Sequence, residues 1–249
     1  MKSKRVGLWF VGLAAMFCLT LGCASIERKL LFYPTHRPAD GQLSPWTKDG
    51  KVIGVSRAVD APKNVWLMLP GNGGQAMDRA YAVSSFSPED SIFVLEYPGY
   101  GLREGVPSRE SLDRAAREAY LLLQGTYPGV PLCVVGESIG SGPAASLATL
   151  KSPPDKFVLV VPFEQFSLVA KDHLPAFLVS LILRDDWDNL GALANYRGPV
   201  DIFGANGDTV IPVAHAKALA AGIPSARLIL IDGNHNDWAR HAQVKIRNP

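Results

Sequence analysis

Three residue types that can work together on an acyl group stand at informative places in the chain. Ser138 lies in Gly136-Glu137-Ser138-Ile139-Gly140, directly after the apolar run Leu132 to Val135 and directly before a segment of helical character. An alkyl hydroxyl is a weak nucleophile near neutral pH, so a Ser that attacks a carbonyl needs a base beside it, and the base needs an acid to orient it. His235, in Asp232-Gly233-Asn234-His235-Asn236-Asp237, can be the base, and Asp208, in Gly204-Ala205-Asn206-Gly207-Asp208-Thr209-Val210-Ile211-Pro212, can be the acid. Each has a bland alternative: an idle Ser in a tight Gly-rich turn, an Asp capping the helix near Pro212, a solvated loop His. Asp232 and Asp237 are the rival acids, although Asp237, two residues from His235, would have difficulty reaching the imidazole from its far side.

These residues need a scaffold that brings them to one edge. Short runs rich in Val, Ile and Leu recur with helical patterns between them: Val65 to Leu69, Ile92 to Leu95, Leu132 to Val135, Phe157 to Val161, Val200 to Phe203 and Leu228 to Ile231. That alternation predicts an α/β fold with a mostly parallel sheet covered by helices on both faces. Lys51 to Arg57 adds at least one more edge strand, expected to be antiparallel. Ser138, Asp208 and His235 each follow a strand, in the chain order nucleophile, acid, base of an α/β-hydrolase sheet, so all three loops should emerge at its carboxyl edge. Leu67-Met68-Leu69-Pro70-Gly71-Asn72-Gly73-Gly74 closes another strand with a Gly-rich turn, where such a sheet draws one amide of its oxyanion hole. The backbone amides of Asn72 and Ile139 are the candidates. The alternative is a flexible turn serving only the following helix.

The clearest helix begins near Pro107-Ser108, with Ser as cap, and ends at Gly125. Further helices are expected over Ile139 to Leu150, weakened in its first turns by Gly142 and Pro143, and over Pro212 to Ala221 and Trp238 to Val244. The connection from Val161 to Val200 is longer than ordinary. It predicts a cap insertion over residues 163–196, with an apolar stretch Leu178 to Leu183 and a charged outer end at Asp185, Asp186, Trp187 and Asp188. A crossover helix with a long loop is the alternative. The remaining histidines, His36, His173, His215 and His241, read as surface or packing residues, with His173 a possible liner of a substrate entrance.

At 249 residues the chain suits one catalytic domain, placed over 46–249. Lys2 to Arg5 is basic and Val6 to Gly22 carries no charge, which reads as a signal peptide over 1–22. Thr20-Leu21-Gly22-Cys23 resembles a bacterial lipobox, with Thr20 where Leu is usual, so Cys23 is the expected lipidation site and 23–45 a membrane tether. An uncleaved anchor and simple secretion are the alternatives, and all three export the domain to the cell envelope, the periplasmic side of a bacterium. Of the three cysteines, Cys18 lies in the signal and Cys133 reads as a buried core residue, leaving no pair for an internal disulfide. Without Lys2, Lys4 and Arg5 the formal charge of +2 becomes −1, so no basic surface points to nucleic acid. Neither a metal nor an organic cofactor is implied.

With these residues in view, the chain resembles, within the α/β-hydrolase superfamily, membrane-tethered serine hydrolases related to eukaryotic protein depalmitoylases and their bacterial counterparts. The resemblance runs from Leu31-Phe32-Tyr33-Pro34 to the end, through Gly71-Asn72-Gly73, Glu96-Tyr97-Pro98-Gly99-Tyr100-Gly101, the Ser138 turn, Gly204 to Pro212 and Gly233 to His235. Such proteins usually have His where Pro70 stands and often Asp where Glu96 stands. Pro70 has no amide hydrogen, so the hydrogen bonding of its loop must differ. The resemblance implies cleavage of an ester or thioester of a small or lipid-like acyl substrate. A peptidase or amidase with the same triad and a catalytically silent envelope binding protein are the rival readings.

Overall fold

A computed structural model describes residue 28, residues 31–37 and residues 43–246. The proposed signal peptide and Cys23 lie outside the described residues. An eight-stranded sheet has the order β10-β9-β8-β7-β4-β6-β3-β2. Its strands are β2 (Ser44–Lys48), β3 (Lys51–Arg57), β4 (Val65–Leu69), β6 (Ser91–Leu95), β7 (Leu132–Glu137), β8 (Phe157–Val160), β9 (Val200–Ala205) and β10 (Ala226–Ile231). The two-residue strands β1 (Tyr33–Pro34) and β5 (Gly73–Gly74) pair separately, in parallel. From β10 to β6 all pairings are parallel, while β3 runs antiparallel to β6, and β2 to β3.

The strand sequences explain the layers. Successive side chains of a strand point to opposite faces, so Val65, Leu67 and Leu69 enter one core while Trp66 and Met68 enter the other. Helices α1 (Arg109–Thr126), α2 (Ser141–Ser146) and α6 (Val213–Gly222) cover the first face. A 3-10 helix over Ala76–Ser85 and the segment from Trp238 to Ile246 cover the second. Ser108 caps α1 as expected, its hydroxyl accepting from Ser111 N at 3.2 Å. The chain runs β4, β6, then crosses through α1 to β7 on the other side of β4, so the loops after β4 and β7 flank the crevice where strand order reverses.

Between β8 and β9 lie three short helices, α3 (Phe166–His173), α4 (Ala176–Ile182) and α5 (Asn189–Leu193). Of the residues expected at a charged outer end, Trp187 turns inward instead. Asp186 accepts from Ser167 N at 2.8 Å at the start of α3, Asp188 caps α5 through Gly191 N, and Trp187 is buried, its ring filling the space beside Gly142. Asp186 and Asp188 are therefore used locally, because the first amides of a helix lack partners. The expected helix over Trp238 to Val244 is also corrected: only Trp238–Arg240 is helical, as one 3-10 turn. Trp238, Val244 and Ile246 must all enter the second core, and that spacing fits no helix face.

Candidate active site

Ser138 sits at the junction of β7 and the helical segment that continues as α2. Its φ of +54 is the left-handed region that a side chain rarely occupies. Two glycines make this turn possible. A Cβ on Gly136 would meet Ser141 and Ala144 of the following helix, and one on Gly140 would strike the carbonyl oxygens of Leu69 and Pro70. Ser141 Oγ donates to Ser138 O at 2.7 Å, tying the turn to its helix.

The structure brings the three expected side chains together. His235 Nε2 is 2.9 Å from Ser138 Oγ, and His235 Nδ1 is 2.7 Å from Asp208 Oδ2. An ionised carboxylate only accepts, so Nδ1 carries the hydrogen and Nε2 is left to accept from the Ser138 hydroxyl. Asp208 serves its own loop as well: Oδ1 accepts from Val210 N and Ile211 N, both at 2.8 Å. Loop capping and imidazole orientation thus fall to different oxygens of one buried carboxylate. The rival Asp237 folds back on its own loop, accepting from Asn234 N at 2.9 Å, and Asp232 accepts from Asn206 Nδ2 at 3.2 Å.

The Gly-rich turn after β4 lies against the same space. Gly71, Asn72, Ser138, Ile139 and His235 line one cavity of about 1010 Å³. Ile139 N–H is in the first turn of the segment that starts at Ser138, where amides lack intrahelical partners. Asn72 N–H donates to no group among the described residues. The Asn72 side chain is held in place, its Oδ1 accepting from Tyr33 N at 3.1 Å and Tyr100 OH at 3.0 Å, and its Nδ2 donating to Leu31 O. Leu31, Phe166, Val169, Leu174 and Ile211 give the cavity an apolar share of its lining.

His173 also lines this cavity, its Nε2 2.8 Å from Val210 O. His36 Nδ1 is 2.8 Å from Gly101 O. His215 is more than a packing residue: it is buried on α6 between Glu164 Oε2 and Asp172 Oδ2, each 2.7 Å from a ring nitrogen, and so ties α3 to the body. Cys133 is a buried free thiol, and burial pushes its pKa up to about 12. Glu137 and Arg79 were not anticipated. The signal for Glu137 was a carboxylate closing an otherwise apolar strand, a place where a charge is tolerated only with partners.

No family model matches the chain. An uncharacterised protein of Mycobacterium tuberculosis is 28% identical over 86% of this chain and 82% of its own length. The lysophosphatidylserine lipase ABHD12 of Danio rerio is 26% identical over 88% of this chain and 72% of its own. Among solved structures, the esterase Pf2001 of Pyrococcus furiosus superposes with a TM-score of 0.62 at 13% identity, covering 83% of this chain and 92% of that one. An α/β-hydrolase fold protein of Chitinophaga pinensis does so with a TM-score of 0.60 at 15% identity, over 83% and 94%.

The chain has the α/β-hydrolase fold. Within an α/β-hydrolase fold, the turn after β7, the loops after β9 and β10 and the turn after β4 are the positions from which a nucleophile, an acid, a base and an oxyanion amide reach one point. Ser138, Asp208, His235 and Asn72 occupy those positions here. Among the described residues, no group of three His, Cys, Asp or Glu is arranged to hold a metal ion, and no helix is long and apolar enough to cross a membrane.

Proposed function

We propose that this protein is a serine hydrolase that cleaves carboxylic ester or thioester bonds through an acyl-enzyme. The observation that carries this reading is the unbroken chain of contacts from Asp208 through His235 to Ser138 Oγ at the wall of the cavity. Ser138 Oγ attacks the carbonyl carbon while His235 Nε2 takes its proton, and Asp208 stabilises the imidazolium. The amides of Asn72 and Ile139 receive the oxyanion. Collapse of the tetrahedral adduct expels the alcohol or thiol, which takes the proton from His235. Water then attacks the acyl-enzyme, giving a proton to His235, and release of the acid returns that proton to Ser138.

A lipid-like acyl chain suits the apolar residues of the lining, and a zebrafish relative is named as a lysophosphatidylserine lipase. Leu174, which lines the cavity, and Phe177 and Leu181 of the following helix α4 are exposed, as a surface that meets lipid would require. With this substrate class goes a location at a membrane, held through a lipid on Cys23 on the periplasmic side. The catalytic reading is tested by labelling with a fluorophosphonate probe together with hydrolysis of p-nitrophenyl esters. Both should be lost in Ser138→Ala, and undiminished labelling of that variant would refute it. Faster turnover of aminoacyl anilides than of esters would move the protein to the peptidases. Release of a Cys23→Ala variant from the membrane fraction tests the anchor.

A further inference from the structure

Glu137, the residue before the proposed nucleophile, is buried with both carboxylate oxygens fully engaged. Oε2 accepts from Gly71 N at 2.9 Å and Arg79 Nε at 2.8 Å, while Oε1 accepts from Tyr81 OH at 2.8 Å and Trp238 Nε1 at 2.9 Å. Four donors saturate a carboxylate. Burial alone would raise its pKa, but the Arg79 charge and these hydrogen bonds hold it below the usual carboxylate range. Arg79, itself buried, reaches on through Nη2 to Gly71 O at 3.1 Å and Gly73 O at 2.7 Å.

The geometry of one peptide plane gives this cluster its purpose. The Asn72 N–H and the Gly71 carbonyl belong to the same peptide unit, which is trans because the described chain has no cis bonds. In a trans unit the two groups point opposite ways. Arg79 holds the carbonyl side, Glu137 holds the preceding amide at Gly71, and Arg79 holds the following carbonyl at Gly73. Asn72 N–H, which has no acceptor among the described residues, is thereby aimed away from Arg79. The same carboxylate reaches Trp238, three residues beyond His235, and is bonded through its own backbone to Ser138.

We infer that the Arg79–Glu137 pair is the positioning device of the oxyanion hole, fixing the direction of the Asn72 amide and joining the segments that carry Ser138, Asn72 and His235. This rests on the proposed acyl-transfer function. The pair acts through position and not through net charge, since its charges cancel beside the place where the oxyanion forms. That distinction is measurable. If charge were the active quantity, Glu137→Gln would leave Arg79 uncompensated and favour a negative transition state, so kcat would hold or rise. If position is the active quantity, Glu137→Gln and Arg79→Lys both lower kcat by about 100-fold or more, the scale of one lost oxyanion donor, with KM little changed.

The test measures kcat and KM for a short p-nitrophenyl ester and the inhibition constant of an alkylboronic acid, whose tetrahedral adduct with Ser138 places an oxygen in the hole. The inhibition constant should rise in step with the loss of kcat. Tyr81→Phe and Trp238→Phe, which remove donors to Oε1 only and leave the grip on Gly71, should lose less than about 10-fold. Melting temperatures of all four variants separate loosening of the turn from unfolding, and the Arg79→Lys result decides where Glu137→Gln fails to fold. Unchanged kcat in a folded Arg79→Lys, or a kcat loss without weaker boronate binding, overturns the inference. A wild-type protein that neither takes up a fluorophosphonate nor turns over an ester refutes the function itself, and the inference with it.

Discussion

His235 Nε2 stands 2.9 Å from Ser138 Oγ across a sequence separation of 97 residues, and its other nitrogen stands 2.7 Å from Asp208. With both nitrogens engaged, the ring is held in one tautomer. Asp208→Asn keeps the shape but places an amide where the carboxylate accepted. The loop is retained if the amide oxygen serves Val210 and Ile211, so the variant should fold while kcat falls by about 10⁴-fold. Steady-state ester hydrolysis measures this, and a loss under about 10-fold would move the acid elsewhere.

A second outcome concerns pH. Burial of Glu96 raises its pKa to about 7, against the opposing hydrogen bond from Ala76 N. The folded state therefore binds this proton more tightly than the unfolded chain, and stability falls as pH rises from about 4.5 to 7, by roughly 3 kcal/mol. Glu96→Gln should melt higher than the wild type at pH 8 and close to it at pH 4.5. Thermal unfolding at both values checks this, and an equal gain at the two would contradict it.

Val169 of α3 is a buried part of the apolar lining of the cavity. Filling that space by Val169→Trp should leave turnover of an acetyl ester within a few-fold and depress that of an octanoyl ester. Each buried methylene is worth about 0.8 kcal/mol, so excluding three of them lowers kcat/KM for the long ester about 60-fold. A chain-length series reads the effect directly. Equal losses for both esters would place the acyl group on another wall.

His215 joins Glu164 and Asp172, and through Asp172 it anchors α3, which carries Phe166, Val169, Ala170 and His173 of the cavity. His215→Ala breaks both contacts and should destabilise the fold by about 1–3 kcal/mol, with KM for the long ester rising more than kcat falls. Urea unfolding and steady-state kinetics separate the two effects. An unaltered KM would show that α3 holds its place without this link.

The strands were legible because those buried on both faces read as continuous apolar runs, as in Val65–Leu69 and Leu132–Val135. Ends were less so: β9 continues through Gly204–Ala205, residues of loop character that are strand only because Leu230 and Ile231 pair with them. The three proposed triad residues could be named since each follows such a run. The Arg79–Glu137 link could not, since a charged partner across 58 positions leaves no periodicity. The segment after Trp238 misled for a related reason: its apolar residues answer a distant core, not a helix of their own.

The strand order carries a consequence for biosynthesis. Strand β4 pairs with β7, far along the chain, and β9 and β10, which precede the loops of Asp208 and His235, are made after the other strands of the described sheet. Such non-local pairings form slowly. A nascent or stalled chain displays Ser138 without His235 and Asp208 beside it, so the proposed acyl-transfer chemistry is withheld until Ala226–Ile231 zips onto Val200–Ala205. The topology is thereby a timing device, in which incomplete copies remain chemically silent.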